Sequence, residues 1–144
     1  MDNNISRHLT NAVSILNHSK HLVRHITEDP RFTERTEDLV WMPNLAEDNI
    51  SWIVMSGDAN IIDTAQERAM LLKCRLMFFC MDKYWMKTRI EDQTWKFFKV
   101  WSEIERHSRN PEPSLHLVRT GPGSRLEVEM ISQGYRSRGG KMRD

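Results

Sequence analysis

This sequence predicts an all-α domain: about five helices packed around a central apolar helix over 60–87, with a C-terminal β-hairpin at 114–131 and a basic disordered tail. Three observations carry that prediction. The stretch Ala69–Trp101 holds three of the five tryptophans and four of the five phenylalanines, so it must be buried against several partners. Before it, apolar residues recur at three- and four-residue steps; after Pro111 and Pro113 the period drops to two. The expected organisation is therefore a helical domain over 1–110, a hairpin appendage over 111–134 and a tail over 135–144.

Helix one is expected from about Ile5 to Thr27. Ile5, Leu9, Ala12, Val13, Leu16, Val23 and Ile26 make one apolar stripe, and Asp29-Pro30 stops it because the residue before proline avoids the α region. A short turn follows, begun by Thr36-Glu37-Asp38 and closed by Pro43, with Phe32, Leu39 and Trp41 as plugs into the core. Asn44 with Glu47 three residues on resembles a capping box, and Gly57 is a C-terminal stop, which predicts a helix over 45–56. A strand over 50–55 competes, because ISWIVM is rich in β-formers. Along the central helix Arg68, Arg75, Asp82 and Arg89 stand seven apart and leave one narrow polar stripe. A break near Thr88 or Arg89 precedes a helix from about Glu91 to His107, burying Ile90, Phe97, Phe98, Trp101 and Ile104. Leu115, Leu117, Leu126, Val128 and Met130 then alternate with polar residues on either side of Gly121-Pro122-Gly123-Ser124, the composition of a hairpin turn.

At 144 residues the chain is one domain by length, and its 21 basic residues against 20 acids make no global field for a polyanion. Cys74 and Cys80, six apart on a helix, turn about 240° from one another, so they are expected as free thiols in a reducing compartment. MDNNISRH has no apolar signal core, and the uncharged run Leu76–Met81 is too short to cross a bilayer, so the expectation is a cytoplasmic or nuclear protein with no transmembrane span.

Reaction-bearing motifs are scarce. His18, His21 and His25 share the spacing of metal ligands on helix one and are weak zinc candidates for a less favoured enzymatic reading; the competing one is a solvated face beside Lys20 and Arg24. Asp58, Asn60 and Asp63 cluster at the start of the central helix where a divalent cation could bind, but helix capping and dipole compensation is the strongly preferred assignment. No GxSxG, Walker loop or GxGxxG follows a strand, and neither cysteine has a cue for a lowered pKa. No catalytic residue and no cofactor is implied.

Cations interleaved with aromatics carry the functional expectation. Trp95, Lys99 and Arg106 share one side of their helix, where a tryptophan can stack a base while the cations hold phosphate, or can serve a protein partner; the competing reading packs Trp95 under the hairpin as plain core. Tyr135, Arg136, Arg138, Lys141 and Arg143 make the tail a second contact of the same kind. Arg68, Leu72, Arg75, Phe79 and Asp82 form the face expected to meet a second copy. The reading at this stage is a non-enzymatic, self-associating binding or scaffold protein that contacts single-stranded nucleic acid or a protein. The alternative is an adaptor or viral accessory protein without nucleic-acid contact.

Overall fold

Burial decides between helix and strand for the run MFFCM. In the computed structural model, which describes residues 1, 5–17, 20–110, 112–121 and 126–131, it is a strand buried on both faces. Strand β1 (Ile53–Ser56), β2 (Met77–Met81), β3 (Ser114–Thr120) and β4 (Leu126–Ile131) form one sheet in the order β1-β2-β3-β4. The first three are parallel, with Ser56 opposite Cys80 and Met81 opposite Val118, and β4 closes antiparallel on β3.

Helices cover both faces. Val54, Phe78, Cys80, Leu115, Leu117 and Ile131 pack against α2 (Asp38–Ala46), α3 (Ala59–Asp63) and α4 (Ala65–Lys73) through Trp41, Met42, Ile61, Ile62 and Leu71. On the other face Met55, Met77, Phe79, Met81 and Val118 meet Leu9 and Val13 of α1 (Arg7–Asn17), Trp85 of α5 (Lys83–Met86), and Phe97, Val100 and Ile104 of α6 (Ile90–Ser108). The result is a three-layer α/β/α sandwich, not an all-α bundle.

The central helix over 60–87 is therefore replaced by α3, α4, β2 and α5. A continuous apolar run looks the same on a buried helix and on a parallel strand covered on both sides, so periodicity could not separate them. What ends α4 is Arg75, which takes a left-handed φ of 56°. Arg75 N–H donates to the Leu72 carbonyl at 3.1 Å and Leu76 N–H to the Leu71 carbonyl at 3.2 Å. This is the Schellman pattern, closed by apolar contact of Leu76 with the core, and it is built here without the usual glycine.

Two further helices move. Helix one ends at Asn17 and the chain from His21 to His25 is not helical, so these two share no helix face. The 45–56 segment divides between the end of α2 and β1, so its second half is the competing strand. Pro43 lies inside α2 rather than closing it. Strands over 114–120 and 126–131 do pair antiparallel, but β3 also joins β2 and is an interior strand of the sheet. Among the described residues no helix is long and apolar enough to cross a membrane.

Candidate functional site

Three parallel strands deliver their carboxyl ends to one edge, the place where open α/β sheets bind ligands. Asp58 stands two residues past Ser56 on β1, Asp82 two residues past Cys80 on β2, and the chain leaves β3 at Thr120-Gly121. Between Asp58 and β1 lies Gly57, where an added Cβ would fall 2.2 Å from the Met86 sulfur, so the bare backbone lets α5 close over the end of β1.

Asp58 begins α3 and its Oδ1 accepts from Asn60 N–H at 2.9 Å, the capping role weighed from the sequence. Two more carboxylates arrive from helix starts: Asp38 in the first turn of α2 and Glu67 in the first turn of α4. Positive helix ends favour both as anions. Crowding overrides that at Glu67, which is pushed up to about 7 by burial, then by the charge of Asp38 and a hydrogen bond with it, and last by Asp58. A hydrogen bond with Thr64 opposes the rise. Asp38 is also tied to Trp41, whose indole Nε1–H donates to Oδ1 at 2.8 Å. Glu67 thus holds a proton near neutral pH, with Asp38 bonded to it and the charge of Asp58 acting on it.

Asp82 is handled differently. Its Oδ1 accepts from Trp85 N–H at 3.0 Å and from the Thr120 hydroxyl at 2.9 Å, and its Oδ2 accepts from Thr120 N–H at 2.9 Å. It caps α5 and ties the ends of β2 and β3 together. A cleft of about 230 Å³ opens beside it, lined by Asp82, Arg119, Thr120, Gly121 and Glu127.

The residues expected as sites are scattered by this fold. Arg68 is buried with its guanidinium donating to the Ile62 carbonyl, Leu72 is half-buried in the core, and Arg75 is exposed at the α4–β2 turn. Phe79 is fully buried with its ring stacked on His116 at 4.4 Å. With Asp82 at a strand end, these five do not share one face. His18 lies outside the described residues. His21 faces Glu105 at 3.6 Å and lines a cleft of about 370 Å³ with Trp52 and Trp101. His25 is buried, its Nε2 2.9 Å from the Ile5 carbonyl oxygen and its pKa lowered by burial. His21 and His25 are thus employed separately, and among the described residues no three His, Cys, Asp or Glu side chains form a metal-holding group. Cys74, half-buried, and Cys80, buried, are free thiols.

Trp95 is 38% exposed and Lys99 lies over its ring at 4.9 Å, so these two do come together. Arg106 turns away to pair with Glu103. Tyr135, Arg136, Arg138, Lys141 and Arg143 lie outside the described residues. Sequence reading took Asp38 only as part of a turn-starting run and missed Glu67, because the two sit 29 residues apart and share no spaced motif. Asp58 was weighed as a cation ligand with Asn60 and Asp63, and capping was preferred.

Residues 1–83 match the family model described as a PIN like domain. No curated protein and no solved structure matches the chain. The matched residues hold all four acids named above, Asp38, Asp58, Glu67 and Asp82. The match overturns the expectation of a non-enzymatic helical scaffold and of a chain with no catalytic role. The viral accessory and RNA-binding readings gain no support from it.

Proposed function

The chain belongs to the PIN-like domain family, typically nucleases, and from that membership we propose that it is a nuclease-class enzyme hydrolysing phosphodiester bonds at the carboxyl edge of its sheet. The observation that supports this reading is the group Asp38, Asp58 and Glu67, which the fold assembles at the ligand-binding edge of a parallel sheet and leaves in mutual repulsion.

Carboxylates alone repel a phosphodiester, so such a site calls for a divalent cation of the magnesium type. Asp58 and Glu67, with Asp38 behind them, would hold it: they are hard oxygen donors, and the crowding that raises Glu67 is what a cation relieves. Ions of this kind take one or two protein carboxylates and fill their shell with water and substrate phosphate, so the donor set fits without a three-residue cage. Bound there, the cation would supply neutralisation of the phosphate and a more acidic water.

The chain's own groups have clear tasks. Asp58 is held at the start of α3 by the Asn60 amide, which engages one of its carboxylate oxygens. Glu67, balanced near pH 7, is suited to take a proton from the attacking water or return one to the leaving oxygen as the P–O bond breaks. Asp38, anchored by Trp41, holds Glu67 in place and keeps its pKa up.

Cleavage of a labelled single-stranded oligonucleotide with added Mg²⁺ or Mn²⁺ tests the proposal. Wild-type protein should cut, and Asp58→Asn and Glu67→Gln should each lose roughly 10²- to 10⁴-fold in rate while melting no lower than wild type. Intact oligonucleotide with either metal, or variants that cut at the wild-type rate, would overturn it.

A further inference from the structure

Beyond residue 83, where the family match ends, the chain adds an aromatic and cationic cluster on the same edge as the acids. Lys96 is only 4% exposed, and its ammonium lies 5.2 Å from the centre of the Tyr84 ring and 5.7 Å from that of Trp95. Its Nζ donates to the Gly121 carbonyl at 2.6 Å, one residue beyond the Thr120 that bonds Asp82. The chain is thus continuous from the end of β3 through one buried lysine to two rings. Buried at its head, that lysine fixes both rings, so little freedom is left to lose on binding.

The outer faces stay open. Tyr84 is 45% and Trp95 38% exposed, and the Trp95 indole Nε1–H donates to Asp92 Oδ1 at 3.2 Å, which sets its plane. Lys99 sits 4.9 Å over the Trp95 ring, and Lys83 and Lys87 are exposed on either side of Tyr84. Acids nearby are already engaged: Glu91 faces Arg89 at 3.4 Å, and Asp92 holds the indole.

We propose that Tyr84 and Trp95, bracketing Lys96, are a stacking platform for the bases of a single-stranded nucleic acid, with Lys83, Lys87 and Lys99 on its phosphates. The platform deepens the nuclease reading and rests on it for its purpose: it seats the strand beside Asp82 and so delivers a phosphodiester to the acids at the end of β1. Two exposed rings fixed by one buried cation suit unpaired bases, whose π-faces are available, and not a duplex, whose faces are hidden. A protein partner would also use aromatics, but three exposed lysines flanking the rings favour a polyanion.

Binding is measured on the full chain with a fluorescein-labelled mixed-sequence oligonucleotide in EDTA, by anisotropy, so that no cleavage intervenes. Trp95→Ala and Tyr84→Ala should each weaken single-strand binding about ten- to a hundredfold, and Trp95→Phe and Tyr84→Phe should restore most of it. The duplex of the same sequence should bind weakly and equally in all variants. Lys99→Ala should flatten the salt dependence of the single strand. Unchanged binding by both alanine variants, or equal losses for single strand and duplex, would overturn the platform and leave these rings to a protein contact. Binding as expected without cleavage under any metal would sustain the platform and sink the nuclease reading; cleavage indifferent to both alanine variants would do the reverse.

Discussion

Asp58 and Asp82 each stand two residues past one register pair, Ser56 and Cys80, of neighbouring parallel strands, yet the fold treats their surroundings in opposite ways. Around Asp82 every contact is an attraction: a hydroxyl and two amides converge on one carboxylate and tie α5 and β3 to β2. Beside Asp58 stand two further carboxylates, Asp38 and Glu67, and Glu67 holds a proton close to neutrality. A fold gains nothing from the second arrangement. Repulsion retained at a ligand edge is therefore the mark of a group kept for chemistry, and satisfaction is the mark of one kept for architecture.

The largest effect expected from that contrast is at Asp82. Replacing it by alanine strands the Thr120 amide, the Thr120 hydroxyl and the Trp85 amide, each half-buried at a junction of elements. We expect a loss of about 2–4 kcal/mol in urea unfolding, with Asp82→Asn recovering part of it. A stable Asp82→Ala that has lost cleavage would reverse the assignment and make Asp82 part of the reacting group.

Glu67→Gln should move stability the other way. The folded pKa of Glu67 is raised to about 7 from an ordinary 4.5, so its proton favours the native state fully below pH 4.5, and that support is lost as pH rises through 7. At pH 8 the glutamine variant, which cannot ionise, should be about 1 kcal/mol more stable than wild type once solvent screening is allowed for, and near equal at pH 4. Urea midpoints at the two pH values decide it. A gain that is the same at both would show that crowding of charge is not what the glutamine relieves.

How far these two regions could be read beforehand follows from the same physics. Helix α6 was legible because its apolar residues keep one stripe over five turns, and β3 and β4 because Leu115 to Met130 alternate around a turn composition. Strand β2 was not, since MFFCM is apolar on every side and only packing on both faces makes it a strand. Missing β2 hid the whole parallel sheet, and with it the fact that Asp58 and Asp82 end adjacent strands. Glu67 carried no signal, because its partner Asp38 lies on another helix and tertiary proximity leaves no trace in spacing. Trp95 and Lys99 were visible as a helical pair; Tyr84 and Lys96 entered only when the fold brought α5 beside α6 and the end of β3.

Arg75 supplies the smallest effect and a control on the whole contrast. It too is strained, holding a left-handed φ of 56° that a side chain with a Cβ adopts at a cost, but it stands at the opposite end of β2 from the acids. Its strain is local: the Schellman hydrogen bonds from Arg75 and Leu76 need the conformation and not the guanidinium. Arg75→Gly should therefore gain about 0.5–1 kcal/mol in stability, offset in part by the freer unfolded chain, and leave oligonucleotide cleavage unaltered. Glu67→Gln also gains stability, but at the expense of cleavage. If Arg75→Gly were to slow cleavage as much as Glu67→Gln does, strain anywhere along β2 would matter to the reaction, and repulsion among Asp38, Asp58 and Glu67 would lose its standing as the sign of a site.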